Sequence, residues 1–293
     1  DGSWPNAARY ARSVRSYWSR YFACSAGPPE ARRRFMVSRR AAADSSGRAA
    51  SATTTFSDGS TARTLSIRAS DRITGATPSE TSCPPTSPVP PECGTTGTRA
   101  FDEDLYDWEL HHFREWGLEV WSGKKPTEAE RAELDRTFRD IAKQLAAAPR
   151  GFTHRDYQSR NIMMKDGELV VIDFQDALQG PRQYDLVALL RDSYVELDRG
   201  FVDTMLDRYI ATFAEVTGER IEPKSFKAFF DLLTIQRKLK DAGRFEFINR
   251  VKGNPGFLVS IPASLRYVRD AFELRPELSG LRKLIAKYVP EVG

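Results

Sequence analysis

Apolar residues recur at helical spacing through most of the chain after residue 100. In the stretch "PTEAERAELDRTFRDIAKQLAAAP" they are separated by 4, 3 and 4 residues. This spacing predicts an amphipathic helix whose apolar face is formed by Leu134, Phe138, Ile141 and Leu145. The preceding stretch "FDEDLYDWELHHFREWGLEVW" is also predicted to be helical, with a face formed by Leu105, Trp108, Phe113, Trp116 and Val120.

The helical spacing of apolar residues is interrupted between residues 153 and 176. "NIMM" and "ELVVIDF" are short apolar runs typical of strands, and "KDG" between them is typical of a hairpin turn in which Gly167 has a positive φ. Helical spacing then returns in "YDLVALLRDSYVEL", "FVDTMLDRYIATFAEV", "KSFKAFFDLLTIQRKLKDAG" and "LSGLRKLIAKYV". The pattern predicts an α+β fold, in which two helices and a small β-hairpin precede a helical bundle.

The first hundred residues show neither the helical spacing nor the strand alternation of apolar residues. They contain 16 Ser and 12 Thr, interspersed with Pro and Gly, and this composition predicts a disordered or loosely structured segment. They also carry 14 Arg, 7 acidic residues and no Lys, whereas 11 Lys follow residue 100. We therefore divide the chain into a low-complexity segment, 1–100, and a helical domain, 101–293.

The basic run "ARRRFMVSRR" in the first segment allows three interpretations. It has the charge of a nucleic-acid footprint, but it lacks interleaved aromatic residues and every familiar nucleic-acid motif. A solvated Arg-rich tail is favoured, and no nucleic-acid partner is expected. The third interpretation is a translation artefact, because GC-rich DNA read in the wrong frame yields Arg, Ser, Ala, Pro and Thr without Lys.

Composition also restricts the compartment and the metals. No run of about 18 apolar residues occurs, so no membrane span is expected. Cys24, Cys83 and Cys93 all lie in the first hundred residues, which argues against a disulfide framework or a zinc site in the rest. A cytoplasmic location is therefore expected. The chain starts at Asp1 without a signal-like segment, and this start suggests a fragment.

Three oxygen-bearing side chains are predicted to meet at one end of the hairpin. Asn161 begins one strand, Asp173 ends the other, and Asp156 lies in the loop before them. Carboxylate and amide oxygens are hard ligands that suit Mg²⁺. An additional Asp that does not bind the metal can orient a hydroxyl and accept its proton, which is the division of labour that phosphoryl transfer from ATP needs.

These residues carry a resemblance to kinases. "HRDYQSRN" matches the catalytic loop H-x-D-x-x-x-x-N, and "IDF" matches the metal-binding strand end. The stretch "FTHRDYQSRNIMM…VVIDFQDALQGPRQYDLVALLRD" resembles the aminoglycoside phosphotransferase-like superfamily. With "IQRKLKDAGRF…RVKGNPGFLVSIPASLRYVRDAFE", it is similar in particular to the branch of anomeric sugar kinases that phosphorylate N-acetylmuramate and N-acetylglucosamine. The resemblance covers about residues 100–290.

The resemblance implies a protein-kinase-like fold and a role for each matching residue. A small β-rich lobe would carry ATP-binding groups, and a large helical C-lobe would carry the catalytic hairpin. Asp156 is then the catalytic base, and His154 braces the catalytic loop. Asn161 and Asp173 hold the Mg²⁺ that accompanies ATP. Asp185, in "YDL", ties the loop to the helix below it.

Three further residues are weaker candidates. Arg160 and Arg191 are candidates for phosphate contact, although surface ion pairs are the commoner use of such arginines. Asp176 is a candidate for a sugar hydroxyl or for a helix cap. The three Trp residues of the first predicted helix are expected in the core rather than as a sugar-stacking platform.

The spacing after Asp173 indicates the class of substrate. Protein kinases follow their metal-binding Asp with Gly and a long activation segment, whereas here Asp185 comes only 12 residues later. This is too short for a peptide platform, so a small molecule is expected. The branch resemblance favours an amino sugar, and an aminoglycoside or another small molecule is the alternative.

No β-rich lobe is recognisable before residue 101, where a Gly-rich loop, a V-A-I-K-like strand and any Lys are all missing from the sequence. The N-lobe is therefore expected to be absent, degenerate or disordered. Three hypotheses follow: a sugar kinase with an intact C-lobe, a non-catalytic remnant, and an Arg-tailed nucleic-acid or surface-binding protein. If 1–100 is not a native lobe, the chain as written should be nearly inactive and proteases should cleave that segment readily.

Overall fold

The computed structural model describes residues 53–56, 63–66, 99–165 and 168–293. Strands β1 (Thr53–Phe56) and β2 (Arg63–Ser66) form an antiparallel pair and belong to a unit of their own. The expectations for the rest of the first segment, and for the φ of Gly167, fall outside the described residues. The features below concern residues 99–293.

Helices make up most of this part of the chain, as the sequence predicts. In chain order they are α1 Glu103–Phe113, α2 Glu128–Ala146, α3 Gln183–Leu190, α4 Arg199–Thr217, α5 Pro223–Lys252, α6 Ile261–Glu273 and α7 Ser279–Ala286. A π-helical segment, Arg114–Val120, continues α1. No helix among the described residues is both long enough and apolar enough to cross a membrane.

Helix α2 follows its sequence pattern closely. Its start is fixed by a capping box, in which the Thr127 side chain accepts from the Glu130 N–H and the Glu130 carboxylate accepts from the Thr127 N–H. The four apolar positions predicted for its inner face are all buried. Spacing alone was enough here because the helix is regular from end to end.

The predicted face of α1 is wrong in part. The buried aromatic and aliphatic side chains are those of Tyr106, Leu110, Phe113 and Leu118, whereas Trp108 is 57% exposed and therefore does not belong to the core. In the regular part of α1 the buried face is centred on Tyr106, Leu110 and Phe113, so Trp108 lies outside it. The chain continues as a π-helix from Arg114, which rotates the later positions away from the predicted face, and Trp121 is 38% exposed.

Two antiparallel strand pairs follow α2. Strand β3 (Arg150–Thr153) pairs with β6 (Leu178–Pro181), and β4 (Ile162–Lys165) pairs with β5 (Glu168–Val171). The β4–β5 hairpin is the predicted one, whereas the β3–β6 pair has no signal in the sequence pattern. Together they frame the segment that carries the candidate site residues.

The long helix α5 is the centre of the bundle, where it contacts α1, α3 and α6. It begins at Pro223 after the cap of Glu222 and ends at Gly253, whose φ is +63°. Gly243 allows α1 to come close, because a Cβ at this position would lie 2.7 Å from the Phe113 Cα. The core between these helices therefore holds α5 in a fixed position relative to the strands.

Candidate active site

The β4–β5 hairpin fixes Asn161 and Asp173 relative to each other. Ile162 pairs with Val171, and the Ile172 N–H donates to the Asn161 carbonyl at 3.0 Å. Asn161 and Asp173 therefore flank the same end of two paired strands. We call this end, together with the loop that carries Asp156, the mouth.

The Asn161 side chain connects the hairpin to the Asp156 loop. Asn161 Nδ2 donates to the Asp156 backbone carbonyl at 2.8 Å. This bond fixes the orientation of the amide, and its oxygen is the acceptor atom that Asn161 can offer to a cation. The structure thus joins the Asn161 side chain to the backbone of the Asp156 loop, and the hairpin places Asp173 at the same end.

His154 joins the two sides of the mouth from the interior. Its side chain is buried, and Nε2 lies 3.0 Å from the Ile172 carbonyl. A carbonyl oxygen only accepts hydrogen bonds, so Nε2 must carry the proton and donate it. The ring also meets Tyr157 edge to face, with centroids 5.9 Å apart. These contacts place His154 behind the loop and not at the surface of the mouth.

Asp185, on α3, holds the catalytic loop from below. The His154 N–H donates to Asp185 Oδ2 at 2.8 Å, and the Arg155 N–H donates to Oδ1 at 3.0 Å. Burial raises the pKa of Asp185 above its ordinary value, while the two N–H donors oppose that rise. Arg155 has a φ of +76°, so this carboxylate caps a tight, left-handed turn just before Asp156.

Asp173 has the geometry of an exposed ligand. Its φ is +69°, in the left-handed region, which turns the chain sharply at the end of β5. The side chain is exposed, and its Oδ1 accepts from Gln175 Nε2 at 2.9 Å. The turn presents the carboxylate to solvent beside Asn161 instead of burying it against the hairpin.

The donor set at the mouth fits Mg²⁺. Among the described residues there is no cluster of three or more His, Cys, Asp or Glu side chains suited to a metal. Mg²⁺ does not require such a cluster, because it keeps several waters and is held by one or two protein oxygens together with substrate phosphates. The carboxylate of Asp173 and the amide oxygen of Asn161 supply a pair of this kind.

The three weaker candidates lie in different places. The Arg160 guanidinium stacks over the Tyr194 ring, 3.6 Å from its centroid. Asp176 is exposed, 3.9 Å from Arg99. Arg191 is buried, and its guanidinium lies over the Tyr267 ring of α6. The structure therefore keeps Arg160 and Asp176 on accessible surface and packs Arg191 into the bundle.

One carboxylate and one guanidinium were missed by the sequence analysis. Asp192 Oδ2 accepts from the Ser159 N–H at 2.7 Å and so holds the far side of the catalytic loop. Arg237, in the middle of α5, places Nη2 3.7 Å from Asp156 Oδ1. The one signal available was the charged run "RKLKD" inside an otherwise buried helix, and it gives no indication of which loop the charges would meet.

A separate surface depression of about 420 Å³ lies on the outer face of α1 and contains none of the predicted site residues. It is lined by Trp108, His111, His112, Arg114, Glu115, Glu119 and Arg131. The exposed Trp108 stacks on His112, with centroids 5.4 Å apart. Its lining residues are distinct from those of the mouth.

Comparison with known proteins gives one family match and several relatives. A model of the phosphotransferase enzyme family matches residues 86–219. The chain is 36% identical over 192 residues to an N-acetylmuramate/N-acetylglucosamine kinase of Pseudomonas aeruginosa. It is 34% identical over 192 residues to the protein of that name in Neisseria meningitidis and 33% identical over 191 residues to that of Pseudomonas putida.

Each of these alignments covers 64% of this chain. The chain spans only 56% or 57% of the length of the same relatives. The matched family range contains the whole mouth, including Asp156, Asn161, Asp173 and the supporting Asp185. The resemblance that the motifs predicted is confirmed for residues 86–219, which match the model of the phosphotransferase enzyme family.

Proposed function

We propose that residues 101–293 are the catalytic lobe of an ATP-dependent phosphotransferase that acts on a hydroxyl group of a small molecule. The observation that carries this proposal is the arrangement of Asp156, Asn161 and Asp173 at one mouth, with the motif order of a kinase loop. The family match supports the reaction class. The short connection from Asp173 to Asp185 supports a small-molecule substrate.

In this proposal each residue of the mouth has a separate task. ATP with Mg²⁺ supplies the transferable phosphoryl group and the charge that offsets its negative oxygens. Asn161 and Asp173 would hold the Mg²⁺ through their side-chain oxygens. Asp156, which is 37% exposed, orients the substrate hydroxyl and accepts its proton as the new oxygen–phosphorus bond forms. The bond from the γ-phosphorus to the β–γ bridging oxygen breaks, and ADP leaves.

Positioning of the loop dominates catalysis in this mechanism. Phosphoryl transfer involves little covalent chemistry on the protein, so misplacing the base by about 1 Å can cost on the order of 100-fold in rate. Asp185 fixes the backbone before Asp156, and His154 connects the loop to the strand end before Asp173. We propose that these two residues support the reaction without touching the substrate.

The anomeric hydroxyl of an amino sugar is the proposed acceptor. This choice is supported by the names of the three relatives, each described as an N-acetylmuramate/N-acetylglucosamine kinase. Amino sugars carry neutral hydroxyl and acetamido groups that hydrogen-bond to carboxylates such as Asp156 and Asp176. A role in cell-wall recycling and a cytoplasmic location would accompany such a substrate.

An ATP- and Mg²⁺-dependent phosphorylation assay with a substrate panel tests the proposal. N-acetylmuramate or N-acetylglucosamine should be phosphorylated at the anomeric position, and kanamycin, choline and homoserine should be poor substrates. An aminoglycoside with the highest kcat/KM in the panel would overturn the choice of amino sugar. Phosphorylation that persists without Mg²⁺ or any other divalent cation would overturn the roles given to Asn161 and Asp173.

The same assay separates an active kinase from a catalytically inactive remnant. Transfer also needs groups that cover the nucleotide phosphates, and the sequence before residue 101 has none of the expected motifs. A remnant would bind the sugar or the nucleotide by isothermal titration calorimetry and show no turnover. Limited proteolysis of the full chain should then release a resistant fragment that begins near Phe101.

A further inference from the structure

The middle of α5 carries an unusual set of buried charges. Arg237 and Lys238 have side chains that are each 2% exposed, and Asp241 follows one turn later at 14%. Long cationic side chains are almost never buried to this degree unless they are paired. The partners of each cation therefore indicate why it is there.

The burial of Lys238 and Lys240 is explained by their contacts with Asp241 of the same helix and, for Lys238, with Ser193. Lys238 Nζ donates to Asp241 Oδ2 at 2.9 Å and to Ser193 Oγ at 3.0 Å. Lys240 Nζ lies 3.0 Å from Asp241 Oδ1. Burial acts to raise the pKa of Asp241, but the neighbouring cations outweigh it and hold that pKa well below its ordinary value. These charges stabilise one another and require no ligand.

Arg237 is different. Its guanidinium lies over the Tyr184 ring, 4.7 Å from the centroid, and Nη2 lies 3.7 Å from Asp156 Oδ1. Nε and Nη1 are buried and have no hydrogen-bond partner among the described residues. A distance of 3.7 Å is too long for a hydrogen bond, so the contact with Asp156 is an electrostatic one. A buried guanidinium with this few hydrogen bonds costs stability.

The charge of Arg237 is nevertheless retained. Burial opposes it, but Tyr184, Asp241, Asp156 and Glu109 outweigh burial and raise the pKa of the guanidinium. Of these neighbours, Asp156 is the one within ion-pair distance of Arg237. Arg237 thus keeps a full positive charge behind the side chain that the mechanism needs in one orientation.

Asp156 has little else to hold its carboxylate in place. The Asn161 side chain holds the Asp156 backbone carbonyl, not its carboxylate. Within the described residues, no hydrogen bond to the Asp156 carboxylate is present, and Arg237 is the cation at ion-pair distance. A short, partly exposed Asp side chain with one buried charge behind it will rotate toward that charge.

We infer that Arg237 is a positioning residue that holds the Asp156 carboxylate in the orientation needed to receive the substrate hydroxyl. This inference rests on the proposed function. Arg237 acts through Asp156 and lies behind it, so it does not touch the substrate. A helix distant in sequence thereby contributes to the geometry of the catalytic loop.

Steady-state kinetics of Arg237→Met and Arg237→Lys give the first test. Arg237→Met should lower kcat for sugar phosphorylation by about 100-fold while leaving the KM for ATP within about 2-fold, because only the base is misplaced. Arg237→Lys, which keeps the charge, should recover part of the loss. Arg199→Met is the matched control, since it removes a guanidinium that pairs with the buried Asp231. The control should lower the melting temperature and keep kcat.

Sugar binding gives a second test that needs no turnover. The affinity for N-acetylglucosamine is measured by calorimetry for Asp156→Asn, Arg237→Met and the double variant. In the parent background, Arg237→Met should weaken sugar binding by about 10-fold. In the Asp156→Asn background it should have no further effect, because Arg237 influences binding only through the Asp156 carboxylate. An equal loss in both backgrounds would overturn the inference.

N-acetylmuramate, which adds a carboxylate to the same sugar, separates positioning from direct ligand contact. If Arg237 acts through Asp156, Arg237→Met weakens binding of both sugars by the same factor. A loss confined to N-acetylmuramate would mean that Arg237 binds the ligand carboxylate, and the positioning role would be wrong. A parent chain that binds these sugars and phosphorylates none of them would contradict the proposed function, while the binding cycle would still decide the role of Arg237.

Discussion

The hairpin of the mouth leaves much of its apolar surface exposed, whereas the helices of the bundle bury theirs. Met163, Met164 and Val170 are 38%, 60% and 36% exposed. Only one face of the hairpin packs, against a small cluster formed with Tyr157 and Leu189. The bundle instead shares one continuous core that runs from α1 to the last residues of the chain.

This contrast shows that the two regions are positioned by different interactions. In the bundle, close-packed apolar side chains fix the helices. In the mouth, a few hydrogen bonds that backbone N–H groups donate to the carboxylates of Asp185 and Asp192 fix the loop. Apolar packing is therefore concentrated in the bundle, whereas the proposed catalytic residues lie in the mouth, and variants in each region should affect different measurements.

The largest expected effect is on activity. In a catalytically active form of the chain, Asp156→Ala should raise the transition-state barrier by about 3 kcal/mol or more, because the hydroxyl loses the group that orients it. Binding of the Mg²⁺-nucleotide, measured by calorimetry, should be largely spared. Asp173→Ala should remove the Mg²⁺-dependent part of that binding as well. Near-parental turnover of Asp156→Ala would show that the base lies elsewhere.

A matched pair of truncations tests the stability side of the comparison. Leu134→Ala, in the core, should lower the free energy of unfolding by about 2–5 kcal/mol through lost burial and a cavity. Met164→Ala removes a side chain of similar size that is 60% exposed near the turn of the hairpin, and it should change the free energy of unfolding by less than about 0.5 kcal/mol. Urea unfolding measures both. Equal losses would mean that the hairpin face is covered in solution.

Asp185 connects the two regions, and Asp185→Asn should affect both measurements. Asn offers one acceptor where two backbone N–H groups need one each, so one buried donor loses its partner and the free energy of unfolding should fall by about 1–3 kcal/mol. The value of kcat should fall with it, because the turn before Asp156 relaxes. Asp140→Asn, at an exposed position of α2, is the control and should leave both measurements near the parental values.

The smallest expected effect is a pH dependence at the far end of the bundle. Hydrogen bonds from Lys287, Tyr288 and Thr127 lower the pKa of Glu130 to about 2, from an ordinary value of 4.5. A lowered pKa in the folded state gives stability that is present above about pH 4.5 and is lost as the pH falls toward 2. The difference in unfolding free energy between the parent and Glu130→Gln should therefore shrink over that range. A difference that is constant from pH 7 to pH 3 would contradict this assignment.

Much of the helical domain could be predicted from local spacing. The apolar positions of α2 and the two strands of the hairpin were confirmed because each depends on one regular period over a few turns or residues. The face of α1 was wrong in part, since its regular turns bury Tyr106 and Leu110 rather than Trp108, and a π-helical segment breaks the assumed period after Phe113. The β3–β6 pair was missed because its residues lie 25 or more positions apart and carry no common pattern.

The sequence by itself determined that Asp156, Asn161 and Asp173 would share one mouth. A hairpin with a short turn places the ends of its two strands together, and five residues separate the loop Asp from the strand Asn. The family resemblance, rather than the spacing, implied that His154 and Asp185 support this loop, and both contact it in the structure.

Only the tertiary structure decided what lies behind the mouth. Arg237 is 81 positions from Asp156 in the chain, and it reaches Asp156 because α5 packs against α3 and α1 through the apolar core. The charged run in α5 predicts that some partner must exist, but a helical period does not encode which loop will meet a given turn. That choice depends on how whole helices pack, and packing is decided by the combined shape of the core rather than by any local stretch of sequence.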